Sequence, residues 1–135
     1  MKKSDKELLL KIQKYCLDIQ QLIGDIDVDA FKKQASYEKQ YACSFCLFQI
    51  GELANKLSPD FKLASSDFNW KGAYGLRNII GHDYDGISAS SVWRAHLCIT
   101  AVRAYCLYFR RGCKCQIIMN FLILCTLVHQ KKFLN

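Results

Sequence analysis

Apolar residues recur at helical spacing along most of this chain, and no stretch alternates apolar with polar residues for long enough to make a strand. Leu8, Leu9, Ile12, Cys16, Ile19 and Ile23 form one such stripe. Punctuation is sparse: one proline and seven glycines in 135 residues favour long regular elements over a turn-rich β fold. With 51% of its residues hydrophobic, a chain of this length can bury a core without metal or disulfides. The predicted architecture is all-α, an antiparallel up-and-down bundle of four to five helices.

The elements can be placed approximately. A first helix should begin near Ser4 or Asp5 and stop at Gly24-Asp25. Asp27 or Asp29 could cap a short second helix reaching about Gln34. A third runs from about Ser36 to Leu57, with Tyr41, Phe45, Phe48, Ile50 and Leu53 as its apolar positions. Ser58-Pro59 stops it, because a proline disfavours helical geometry in the residue before it. Residues 60–66 read as a loop. Ser66 or Asp67 caps a fourth helix carrying Trp70, Tyr74, Leu76, Ile79 and Ile80. Ser88 or Ser90 caps a fifth, reaching about Arg110.

Charge divides the chain. Residues 1–85 hold 12 Lys/Arg and all 12 Asp/Glu, so the formal +7 lies entirely within residues 86–135. A basic half suits nucleic acid or an acidic partner, or simply solvates one helix face through Arg94, Arg103, Arg110 and Arg111. The eight cysteines do not read as a disulfide framework. The opening Met1-Lys2-Lys3-Ser4-Asp5-Lys6 is polar, unlike a signal peptide. Cys16, Cys98 and Cys106 sit in apolar contexts that suit buried thiols. Cys43-Ser44-Phe45-Cys46 is a CxxC without the second pair that zinc requires. The expectation is a reduced, cytoplasmic protein with no metal and no cofactor. Residues 112–135 form an atypical tail beyond a domain spanning 1–111. Its apolar run, Ile117 to Val128, has 12 residues, against about 20 for a membrane span, so no membrane is expected.

The chemistry concentrates in Arg77-Asn78-Ile79-Ile80-Gly81-His82-Asp83-Tyr84. On a helix Asn78 and His82 share a face, whereas Arg77 and His82 point about 140° apart. Gly81 can loosen the backbone and swing His82 and Tyr84 toward the arginine. A fixed cation, a group titrating near neutrality and a phenol at one helix end suit a phosphodiester. Each residue alone has an ordinary reading: a dipole-complementing histidine, a surface cation, a cap, a core aromatic. Together, at these spacings, they favour function.

This run resembles the R-x-x-x-x-H-x-Y signature of HEPN-domain proteins, specifically the HepT-like toxin branch. Ile50-Gly51-Glu52-Leu53-Ala54 and then Trp70 and Gly75 precede it as in that branch. Ile87 and Val92-Trp93 follow, and the resemblance spans roughly residues 5 to 111. It implies a HEPN-like bundle, usually a homodimer with two motifs in one cleft. It also implies a metal-independent endoribonuclease acting on RNA, with Arg77 and His82 catalytic. Asn78 and Asp83 would support them. Tyr84 would accept adenylyl groups from a nucleotidyltransferase antitoxin. Glu52, in an otherwise apolar helix, is either a supporting partner for Arg77 or a solvated residue. The alternative function is a non-catalytic module binding RNA, nucleotide or a nucleotidyltransferase. His96 and His129 receive no role.

Overall fold

A computed structural model describes residues 2–33, 36–66, 69–81, 88–93, 95–96 and 103. Five helices can be named: α1 (Lys3–Ile23), α2 (Val28–Lys32), α3 (Tyr37–Lys56), α4 (Pro59–Ala64) and α5 (Trp70–Gly81). Residues 89–93 are helical as well, and no strand occurs among the described residues. The fold is the expected all-α, HEPN-like bundle. Most of the fifth predicted helix and the tail 112–135 lie outside the described residues.

α1 buries Leu9, Ile12, Cys16, Ile19 and Ile23, the stripe visible in the sequence. It stops at Gly24, whose φ of 53° is open to glycine and whose N–H donates to the Gln20 carbonyl. Lys39 then donates to the Leu22 carbonyl at 2.7 Å, placing a cation on the negative end of the helix. Asp27 caps α2 by accepting from Ala30 N at 2.8 Å, and α2 carries the fully buried Phe31 into the core.

Two polar contacts fix the direction of α1 against α3. Lys39, at the start of α3, meets the end of α1. Asp5, at the start of α1, meets Ser58 just beyond the end of α3. The helices are therefore antiparallel. α5 returns antiparallel along the other side of α3: Trp70, at its start, packs on Phe61 of α4, while Arg77 reaches back to Glu52. α3 is thus the central helix, in contact with both α1 and α5, and it buries Cys43, Ser44, Leu47, Ile50, Gly51 and Ala54.

Three expectations need correction. Residues 60–66 are not a loop, because most of them belong to α4. Pro59 sits in its first turn, where a missing N–H costs nothing, and Ser58 caps it. Tyr41 and Phe45, expected among the apolar positions of the third helix, stand 64% and 58% exposed, since the core takes the small face instead. Asn69, rather than Ser66 or Asp67, holds the start of α5, its Oδ1 accepting from Gly72 N at 2.8 Å.

The thiols follow their packing. Cys16, Cys43 and Cys46 are free and buried. Burial pushes the Cys43 thiol up to about 11 and raises that of Cys46, so both stay protonated near neutrality. Among the described residues no helix is long and apolar enough to cross a membrane. Within the same residues no group of three or more His, Cys, Asp or Glu gathers in a way that could hold a metal ion.

Candidate functional site around Arg77

The crossing of α3 and α5 is unusually close at Gly51. A Cβ there would lie 3.0 Å from Arg77 Cβ, 3.2 Å from the Ala73 carbonyl and 3.2 Å from Arg77 N. Two of these three neighbours are backbone and cannot rotate away. A glycine normally weakens a helix interior by about 1 kcal/mol relative to alanine; here the missing side chain lets α5 settle onto α3. Gly51→Ala should therefore destabilise the fold by about 1–2 kcal/mol, overpacking outweighing the gain in helix propensity. It should also displace Arg77. Thermal melting of the variant checks this, and an unchanged or raised melting temperature would show that the crossing can open freely.

That close approach seats Arg77 over α3. Its Nε pairs with Glu52 Oε1, one residue after Gly51. Its Nη1 donates to the Tyr74 hydroxyl at 3.0 Å. The guanidinium carbon lies 5.7 Å from the ring centres of both Phe48 and Tyr74. Two aromatic faces and a carboxylate restrict the guanidinium on three sides. The side chain still keeps 38% of its surface, and among the described residues its Nη2 has no partner. A guanidinium held at Nε and Nη1 and still partly exposed suits an oxyanion from outside.

Glu52 is half-buried beside this cation, so the partnership weighed in the sequence exists in the structure. Phe48 and Tyr74 were missed as parts of the seat. Their signal was periodic: Phe48 precedes Glu52 by four residues, and Tyr74 precedes Arg77 by three, so each shares a face with the residue it helps to hold. Asn78 lies on α5 directly after Arg77. The Asn78 side chain and the whole of His82, Asp83 and Tyr84 lie outside the described residues.

His96 belongs elsewhere. Its Nδ1–H donates to the Trp93 carbonyl, and its ring meets that of Trp93 at 4.4 Å. Burial lowers its proton affinity, partly offset by that hydrogen bond. Trp93 in turn packs on Phe31 at 5.3 Å, so His96 is a core-edge histidine held by Trp93.

Residues 12–97 match the family described as Ribonuclease HepT-like, which covers well over half of the chain, and the chain belongs to that family. It is similar to a Methanocaldococcus jannaschii protein named "Putative RNase MJ1380", with 31% identity over 93 residues, 69% of this chain and 84% of that protein. A second protein of that organism, "Putative RNase MJ0125", is 29% identical over 92 residues, 68% of this chain and 78% of its own length. No solved structure matches the chain significantly.

Proposed function

We propose that this chain is the toxin of a HEPN/nucleotidyltransferase toxin–antitoxin pair: a metal-independent endoribonuclease that works as a homodimer. The ribonuclease family and the names of its relatives support the class of activity. The observation that carries the chemistry is Arg77, tied to Glu52 and Tyr74 and still 38% exposed.

Cleavage proceeds by attack of the RNA's own 2′-hydroxyl. His82 removes the 2′-proton as the oxygen bonds to phosphorus. Negative charge grows on the non-bridging oxygens of the pentacoordinate phosphate, and Arg77 stabilises it. The bond to the 5′-oxygen then breaks, leaving a 2′,3′-cyclic phosphate, and that oxygen takes a proton from an acid. One histidine cannot be neutral and protonated at once. A two-fold dimer supplies the second, with the partner's His82 as the acid. Asn78 and Asp83 orient His82 or a phosphate oxygen. Glu52 acts through Arg77 and is a positioning residue.

Control runs through Tyr84. A nucleotidyltransferase antitoxin transfers AMP from ATP to its hydroxyl, releasing pyrophosphate. The new phosphate places negative charge and bulk beside Arg77 and His82 and competes for the same cation. Incubation with such an enzyme, ATP and magnesium should add the mass of AMP to the wild-type chain and silence its cleavage of RNA. Tyr84→Phe should gain no mass and stay active. Equal AMP incorporation in both proteins would show that Tyr84 is not the acceptor.

A further inference from the structure

Tyr74 gives Arg77 more than a ring to lie on. It stands one turn before the arginine on α5, half-buried, with the guanidinium carbon 5.7 Å from its ring centre. Its hydroxyl oxygen accepts from Arg77 Nη1 at 3.0 Å. A guanidinium only donates, whereas a phenol both accepts and donates. The bond to Arg77 therefore uses a lone pair of the oxygen and leaves its hydrogen for another acceptor. Among the described residues this is the one hydrogen bond of the Tyr74 side chain. A phenylalanine would pack the same ring and offer the same face to the cation. Only the hydroxyl sets tyrosine apart here.

We propose that Tyr74 is a catalytic residue: its hydroxyl donates to a non-bridging oxygen of the phosphate that Arg77 holds. The phenol oxygen and Arg77 Nη1 are fixed 3.0 Å apart, so one phosphate can meet both groups. Charge makes the second donor matter. Glu52 lies against Nε and offsets much of the arginine's charge. A phosphate there is held by directed hydrogen bonds more than by net charge. The bond accepted from the cation also polarises the phenol and strengthens the bond its hydrogen gives. Negative charge grows on the phosphate as the 2′-oxygen attacks, so the Tyr74 contact is tighter in the transition state than in the bound substrate. No proton leaves Tyr74; the proton transfers remain with the histidines. This role deepens the ribonuclease reading and rests on it.

Tyr74→Phe in the full-length protein removes the hydroxyl and keeps the ring. Its kcat on a short single-stranded RNA should fall by about 100-fold, with KM and melting temperature little changed. A hydroxyl that merely steadied Arg77 could give the same loss, so 3-fluorotyrosine in place of Tyr74 separates the two roles. The fluorine makes the phenol more acidic. The charged groups around it are Arg77 on its own helix and Glu52 on α3, tied to the same guanidinium. Once ionised, the fluorinated phenol accepts from Arg77 Nη1 all the better, but it can no longer donate and it repels the phosphate. The rate relative to wild type should therefore fall as pH rises; a purely steadying hydroxyl would let that ratio hold or rise. Should Tyr74→Phe fail to fold, this ratio decides. The same fluorine reads anion binding without cleavage: inorganic phosphate should shift its NMR resonance, and the shift should vanish with Arg77→Ala. A wild-type kcat in Tyr74→Phe, a ratio that does not fall with pH, or no phosphate shift in a protein that cleaves RNA would overturn the role. A protein that cleaves no RNA but shows the shift keeps Tyr74 as a phosphate donor and refutes the ribonuclease reading. One that shows neither refutes both.

Discussion

Arg77→Ala is expected to lower the rate of RNA cleavage by about 100- to 10,000-fold, and His82→Ala by a similar factor. The arginine supplies charge where charge develops, and the histidine moves the proton. Arg77→Lys should recover little. A lysine has one nitrogen to offer, whereas Arg77 pairs Glu52 through Nε, Tyr74 through Nη1 and stays partly exposed. Glu52→Gln should fall between wild type and Arg77→Ala. It keeps a hydrogen-bond acceptor for Nε but loses the charge that holds the fork in plane. Neither Arg77 nor Glu52 is fully buried, so melting temperatures of their variants should shift by only a few degrees. An Arg77→Ala protein cleaving at the wild-type rate would remove the arginine from the chemistry.

Asp5→Ala should produce the largest loss of stability among single polar substitutions in the described core. The Asp5 carboxylate, 1% exposed, accepts from Ser58 N at 2.8 Å and from Ser58 Oγ at 2.7 Å. Ser58 Oγ in turn accepts from Phe61 N, so one carboxylate ties the first turn of α1 to the start of α4. Hydrogen bonds to a charged group are worth about 1.5–3 kcal/mol each, which puts the loss at roughly 3 kcal/mol. Burial alone raises the affinity of this carboxyl for a proton; the Ser58 bonds, together with the backbone N–H and charge of Lys2, outweigh burial and hold it below the ordinary value of 3.8. A carboxyl lowered by folding stabilises the protein above its unfolded value, and that stabilisation is lost as pH falls through its folded value. Urea unfolding at neutral pH should therefore separate wild type from Asp5→Ala, and the gap should close in acid. A gap that persists unchanged in acid would mean that packing, not charge, carries the contact.

The elements built on local periodicity were legible. The stripe of α1, its stop at Gly24 and the Asp27 cap are all local events, set by residues within a turn of one another. The failures were non-local. Asp5 reads as an ordinary helix-start acid, because its partner Ser58 is 53 residues away. From sequence Pro59 reads only as a terminator of α3, though the same ring that ends one helix opens the next. The orientation of α3 was the deepest miss. Its large rings pointed toward a core face, yet Tyr41 and Phe45 stand exposed while Cys43, Ser44 and Ala54 are buried, and Gly51 brings α5 close enough to carry Arg77 onto Glu52. A helix that is partly apolar all round does not declare which side its neighbours choose. The motif residues Arg77 and Glu52 were legible from residue type and spacing. Phe48 and Tyr74 became visible only once two helices met.

The most direct test of the proposed chemistry is cleavage of an end-labelled single-stranded RNA by the purified full-length protein in excess EDTA. Wild type should cut the RNA and leave 2′,3′-cyclic phosphate ends, and His82→Ala under the same conditions should leave it intact. Cleavage that stops in EDTA and returns with a divalent metal, or a His82→Ala protein as active as wild type, would contradict the account.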